Sequence, residues 1–170
     1  MSVTDEILAL AQQLADLRPT FFTKKGPGAG DDDTNIYMRE LRAAVEKATD
    51  TDYSEKRICG DNALAVDFFV EHEETVIEIA LSLRNPNCEF ERDILKVLMA
   101  QEAGVRVKRL IFLSKAGGEK RVRQPSSQAM VAWAARNHGL EIIVRDLRSP
   151  AVAPKRPLQP TGPARRLSDA

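Results

Sequence analysis

The stretch that decides the fold is Leu64–Leu83, which has the sequence LAVDFFVEHEETVIEIALSL. Hydrophobic residues alternate with other residues on both sides of a charged centre, and this period of two is typical of β-strands. We therefore predict two antiparallel strands, over residues 63–70 and 75–83, joined by a tight turn between His72 and Glu73.

Two acids of this hairpin are predicted to lie on the same face. A turn centred between His72 and Glu73 places Asp67 directly opposite Glu78, with Cβ atoms about 4.5–5.5 Å apart. Two facing carboxylates repel each other, and a divalent cation such as Mg²⁺ offsets this repulsion by binding to both. The alternatives are a half-exposed face on which arginines neutralise the acids, or a slipped register that separates them.

The rest of the chain adds helices and strands around the hairpin. In order, we predict a helix that Thr4 caps and Pro19 ends, a helix over 35–49, a short strand over 57–59, the hairpin, a helix over 88–103, a strand over 107–113, a helix from Pro125 to His138 and a strand over 140–147. This order predicts an α/β sandwich with a central mixed sheet.

The chain divides into three predicted regions. Residues 1–34 contain the first helix and a flexible loop rich in Gly and Asp, and residues 35–148 form the core. Residues 149–170 contain five of the nine prolines, interleaved with Lys and Arg, and are predicted to be a disordered basic tail. The glycines of the loop follow no strand and precede no Gly-Lys-Ser/Thr, so we do not predict a phosphate cradle there.

The composition limits the classes of function. A chain of 170 residues with 43% hydrophobic residues suits one domain with a proper core. We find neither an apolar run of about 18 residues nor a basic and then apolar leader, and therefore predict a cytoplasmic protein with no membrane partner. Two cysteines and two histidines are too few for a disulfide framework or a zinc site.

The net charge of zero conceals an uneven distribution. Residues 1–103 contain 21 acidic and 11 basic residues, whereas residues 104–170 contain 4 and 14. A basic half of this kind favours a nucleic-acid partner, and Lys120, Arg121 and Arg123 are the candidate DNA-binding residues. The alternative is that the two halves neutralise each other across the fold.

The predicted helix over 88–103 carries a further candidate acid. A helical projection places Glu91 within the hydrophobic arc around Ile94, and it places Lys96 on the outward side. Glu91 either complements the helix dipole in the first turn or contributes a third carboxylate beside Glu78.

Four segments carry a family resemblance: AVD at 65–67, EIA at 78–80, EFERDILK at 89–96 and LIFL at 110–113. Together with the order of elements over residues 35–147, they resemble the PD-(D/E)xK superfamily of restriction-endonuclease-like nucleases, with the BglII-like restriction enzymes as the nearest group. The resemblance implies a three-layer sandwich that cleaves DNA with Mg²⁺ or Mn²⁺. It implies Asp67 and Glu78 as metal ligands, Glu91 as the catalytic acid of the helix, and a homodimer to which the first helix contributes unless it packs on its own domain.

Two positions depart from the family pattern. Val66 replaces a frequent proline, and Ala80 stands where the family has the lysine that orients the attacking water. Because Lys96 is predicted to point outward, we expect Lys115 or Arg84, each near the end of a strand, to supply the missing charge. Without such a group, the same fold would serve as a DNA-binding or assembly protein that does not cleave.

Overall fold

The computed structural model describes residues 1–18, 22, 31–81, 83, 88–115 and 117–149. The predictions for the glycine loop before residue 31, for Arg84 and for the tail after Ser149 lie outside these residues. None of the helices in the described ranges has both the length and the apolar character that crossing a membrane requires.

Five helices and five strands are present in this described part. The helices are α1 (Val3–Asp16), α2 (Asp31–Thr49), α3 (Glu89–Glu102), α4 (Gly118–Val122) and α5 (Pro125–His138). The strands are β1 (Ser54–Lys56), β2 (Val66–Val70), β3 (Thr75–Glu78), β4 (Arg109–Ser114) and β5 (Glu141–Asp146). The predicted order of the main elements is confirmed.

Several boundaries differ from the prediction; β2 begins at Val66 instead of residue 63, and β3 ends at Glu78 instead of residue 83. α2 begins at Asp31, within the predicted loop. β1 lies before residue 57 instead of over 57–59, since its partner β2 begins at Val66 and pairs that residue with Lys56. The segment between β4 and α5, for which no element is predicted, contains the short helix α4.

The strands form one open, mixed sheet in the order β1-β2-β3-β4-β5. β1 and β2 pair in antiparallel fashion, as do β2 and β3, whereas β3–β4 and β4–β5 are parallel. The parallel pairs require crossover connections, which α3 provides between β3 and β4, and α4 and α5 between β4 and β5. The described chain is therefore an α/β fold.

Helices cover both faces of this sheet. The side chains of β4 alternate between the two faces of the sheet. Leu110 and Phe112 pack with α3 and α5, whereas Ile111 and Leu113 pack with α1 and α2. The hydrophobic stripe of α1 is buried against α2 and the sheet through Ile7, Ala11 and Ala15. Of the two roles left open for the first helix, packing on its own domain is the one observed for this stripe.

The start of α1 is tied to the hairpin turn. Ser2, and not the predicted Thr4, is the N-cap, and its Oγ accepts a hydrogen bond from the backbone N–H of Asp5 at 3.1 Å. Glu73 in the turn accepts hydrogen bonds from the backbone N–H groups of Val3 at 2.6 Å and Thr4 at 3.1 Å. The turn of the hairpin thus caps a helix on the neighbouring layer.

Candidate active site

The hairpin has the register that the sequence predicts. Phe68 pairs with Ile77, and Val70 pairs with Thr75 across the turn. One position further from the turn, this register brings Asp67 opposite Glu78, and both residues line a cavity of about 380 Å³.

Asp67 is fixed beside the end of β3. The backbone N–H of Ile79, the first residue after that strand, donates a hydrogen bond to Asp67 Oδ2 at 2.7 Å. This contact uses one carboxylate oxygen and prevents the side chain from turning away from Glu78. The two acids therefore meet at the point where the regular hairpin ends.

Helix α3 brings a lysine to these acids. Lys96 Nζ lies 2.6 Å from Glu78 Oε1 and 3.0 Å from Asp93 Oδ1, and it donates a hydrogen bond to the carbonyl oxygen of Ala65 at 3.0 Å. The side chains of Lys96, Glu78 and Asp93 are only 9%, 4% and 4% exposed. Lys96 thus forms ion pairs with two buried carboxyl groups and donates a hydrogen bond to the carbonyl oxygen of Ala65.

The prediction that Lys96 points outward is therefore wrong. A helical projection treats each residue as a direction on a cylinder, whereas the long aliphatic stem of lysine carries its ammonium group well away from its Cα. The buried carboxylates of Glu78 and Asp93 offset the unfavourable burial of the cation. A detectable signal exists in the spacing of Glu89, Asp93 and Lys96, which places three charged residues along one stripe of α3.

Carboxyl groups outnumber ammonium groups in this cluster. Burial raises the pKa of Glu78 to about 9, and the negative charges of Asp67 and Asp93 add to this rise while Lys96 opposes it. Burial alone would lower the pKa of Lys96, but Glu78 and Asp93 raise it overall, so this lysine is a cation at neutral pH. Three carboxyl groups face one ammonium group, and this negative surplus favours an additional cation such as a proton on Glu78.

The cavity offers only a few of the oxygen ligands that a hard divalent cation requires. Across the described residues, no three His, Cys, Asp or Glu side chains are arranged as a metal-binding group. Asp67 and Glu78 offer two carboxylates, and Mg²⁺ is commonly bound by one or two carboxylates together with water and substrate phosphate. This pair thus offers two of the roughly six ligands that such an ion needs.

Two predicted catalytic residues do not line this cavity. Glu91 accepts a hydrogen bond from Arg121 Nη2 at 3.0 Å, which connects α3 to α4. Lys115 follows β4, and its backbone N–H donates to the carbonyl oxygen of Leu81 at 3.2 Å. Lys96, which sequence reasoning set aside, is the lysine found in contact with Glu78.

The predicted DNA-binding residues belong to the α4 region and lie outside the cavity lining. Lys120 and Arg123 are exposed, and Arg123 Nη2 is 3.9 Å from Glu119 Oε2. The side chain of Arg121 is only 15% exposed because it pairs with Glu91. This arrangement leaves Lys120 and Arg123 as the accessible members of the set.

The wall of the cavity that faces the acids comes from α2. Its lining residues are Thr34, Asn35, Met38, Arg39 and Arg42. Arg42 Nη1 lies 2.5 Å from Glu55 Oε1 on β1, and Arg92 of α3 also lines the space. The cavity therefore presents cations as well as the acid cluster.

Comparisons with protein-family models, with curated proteins and with solved structures gave no match to this chain. The class that can be stated from the fold is an α/β protein with a mixed, open sheet. Its most distinctive chemical feature is the cluster in which the half-buried Asp67 adjoins the buried Glu78, Asp93 and Lys96.

Proposed function

We propose that this protein is a DNA endonuclease of the restriction-endonuclease-like type that hydrolyses phosphodiester bonds with a divalent metal ion. The observation that carries the proposal is the meeting of Asp67, Glu78 and Lys96 in one cavity. The family motif requires an acid on each of two neighbouring strands and a lysine beside them. In this chain α3 supplies the lysine that position 80 lacks.

The topology supports the finer fold assignment within this proposal. Three antiparallel strands, β1 to β3, carry the acids at one end, and β4 follows in parallel after a helix. Helices pack on both faces of the sheet, as a three-layer sandwich requires. The order agrees with the one that the family resemblance implies.

Asp67 and Glu78 would hold Mg²⁺ or Mn²⁺ in this enzyme. When bound, such an ion polarises the phosphodiester and lowers the pKa of a water molecule. Hydrolysis adds the water oxygen to phosphorus, breaks one backbone P–O bond, and returns a proton to the leaving oxygen.

Lys96 would position the attacking water in this reaction. Its contacts to Asp93 and to the carbonyl of Ala65 fix the ammonium group beside Glu78, and Lys96 lines the cavity. Because the pKa of Lys96 is raised, the group stays protonated, so it donates to the water and does not accept its proton.

One observation favours a second candidate function, namely a DNA-binding or assembly protein of the same fold that does not cleave. Lys96 already contacts the two most buried acids, Glu78 and Asp93, so the cluster also makes sense as an ion-pair network that holds α3 on the hairpin. This function needs no metal ion and no attacking water.

Supercoiled plasmid incubated with the purified protein distinguishes the two functions. We expect nicking or linearisation with Mg²⁺ or Mn²⁺, and a loss of roughly 100-fold or more in rate for Asp67→Asn, Glu78→Gln or Lys96→Met, since each removes a group at the reacting atoms. Glu102→Gln, on the exposed end of α3, is the matched control and should cleave as the wild type does.

Circular dichroism of each variant shows whether it remains folded. Plasmid that stays intact with every cation, in both methylated and unmethylated DNA, refutes the enzyme. Salt-sensitive binding without cleavage would then support the second function.

A further inference from the structure

One face of α2 forms the wall opposite the acid cluster. The residues of this face recur every three or four positions along α2, so they lie on one side of the helix. They are Thr34, Asn35, Met38, Arg39 and Arg42. Tyr37 and Leu41 on the adjoining side are fully buried in the core, and the Tyr37 hydroxyl donates to the carbonyl of Ala11 at 2.9 Å. The core therefore fixes the orientation of the cavity-lining face.

The two arginines of this face differ in how they are paired. Arg39 is exposed, and no ion pair to it occurs among the described residues. Arg42 pairs with Glu55, whose side chain is 63% exposed. Exposed ion pairs of this kind contribute little stability, so a phosphate group can displace Glu55 from Arg42 with little loss of folding free energy.

Guanidinium groups at this place suit a phosphate ligand. Arginine binds phosphate through two parallel hydrogen bonds, with a geometry that lysine cannot match. The carboxylates on the facing wall repel an approaching nucleic-acid backbone, and cations within the same cavity offset that repulsion. Lys120 on α4 and Arg123 directly after it lie outside the cavity lining and cannot perform this local role.

We propose that Arg39 and Arg42 bind a backbone phosphate of the DNA next to the one that is cleaved. The DNA is then held at the site by α2, from the acidic half of the chain, and not by the basic α4 region. This inference rests on the proposed function, because it takes the ligand of the cavity to be a nucleic-acid backbone.

Binding measured without turnover tests the inference. We would measure fluorescence anisotropy of a labelled duplex of about 20 base pairs in EDTA over a series of salt concentrations. Arg39→Ala should weaken binding about tenfold and reduce the salt slope by about one, as expected for the loss of one phosphate contact. Arg39→Lys should keep the salt slope and recover only part of the affinity.

Lys47→Ala is the matched control for charge. Lys47 is an exposed cation on the last turn of α2 and does not line the cavity. Both alanine variants remove one positive charge from the same helix, so a difference between them isolates the position of the charge. Lys47→Ala should bind as the wild type does, and thermal melting confirms that each variant is folded.

Two outcomes overturn the inference. One is that Arg39→Ala and Lys47→Ala bind DNA equally well; the other is that only Lys120→Ala with Arg123→Ala reduces affinity. The proposed function is tested separately by plasmid cleavage. If the wild type cleaves plasmid but Arg39→Ala has an unchanged KM, the nuclease is supported and this phosphate contact is refuted. An Arg39 effect on binding in a protein that never cleaves DNA supports the contact and refutes the enzyme.

Discussion

The ammonium group of Lys96 contacts acceptors from three parts of the chain. Glu78 is on β3, Asp93 lies one turn earlier on α3, and Ala65 precedes β2. A buried ion pair of this kind stabilises the fold only while every member is present, because removing one partner leaves a buried charge without compensation. Lys96 therefore has a structural role whether or not the protein cleaves DNA.

Lys96→Met should lower the free energy of unfolding by roughly 3 kcal/mol at pH 8, because Glu78 and Asp93 then lose their cation. The loss should be similar at pH 6, because the pKa of Glu78 is about 9 and this carboxyl group holds a proton at both pH values. Urea denaturation measures both values. Adding Glu78→Gln to Lys96→Met should recover part of the loss, whereas fully additive effects of the two substitutions would contradict direct coupling.

At the residue scale, the pair of acids was predictable and the lysine was not. Asp67 and Glu78 were located from the hairpin centre, because the period of a strand and the position of a turn fix which residues face each other. Lys96 depends on how a long side chain bends towards acids on another element. That contact is a tertiary feature that a projection of one helix does not contain.

At the element scale, the contact between the hairpin turn and α1 joins the sheet to a helix that packs on it. Burial would raise the pKa of Glu73, but hydrogen bonds from Thr4 and Val3 lower it overall. The negative charge also lies at the positive end of the α1 dipole. One side chain thus stabilises the start of a helix more than 65 residues earlier in the chain.

Glu73→Gln should reduce the free energy of unfolding by about 1 kcal/mol at pH 7, since the charge at the helix start is lost. The lowered pKa means that the wild type has this advantage above pH 4.5 and loses it as the pH falls through the folded-state value. Urea midpoints of the two proteins should therefore converge in acid. Glu71→Gln, an exposed acid in the same turn, is the control, and an equal effect from it would contradict the capping role.

Periodicity predicted most elements but not all of their ends. Helix α5 has the predicted bounds because Pro125 fits a first turn and Gly139 adopts the left-handed conformation that ends a helix. β1 has no such local signal, since only three residues pair with β2 at the edge of the sheet. Its position is set by its neighbour and not by its own sequence.

At the scale of the whole molecule, the surplus of buried acid links stability to pH and to metal. The folded-state pKa of Glu78 is raised from 4.5 to about 9, so the folded protein holds a proton that the unfolded chain has lost in this range. Stability is then greatest at the acidic end of this range and declines as the pH rises towards 9. Under the proposed function, a divalent cation on Glu78 and Asp67 would take the place of that proton.

Without metal, the melting temperature should decline between pH 6 and pH 9, and 10 mM Mg²⁺ should raise it more at about pH 9 than at about pH 6, because protons compete with the cation. Glu78→Gln should flatten the decline and remove the Mg²⁺ effect. Differential scanning calorimetry measures both. An equal Mg²⁺ effect at the two pH values, or one that persists in Glu78→Gln, would show that the ion binds elsewhere.

The lysine at the site is carried by a crossover helix, whereas the acids are carried by the hairpin. A copy of the chain in which α3 has not yet docked has Asp67 and Glu78 side by side but lacks Lys96. If the protein is the proposed nuclease, such a copy would lack the lysine that positions the attacking water. Cleavage would then require the complete tertiary structure and not the hairpin alone.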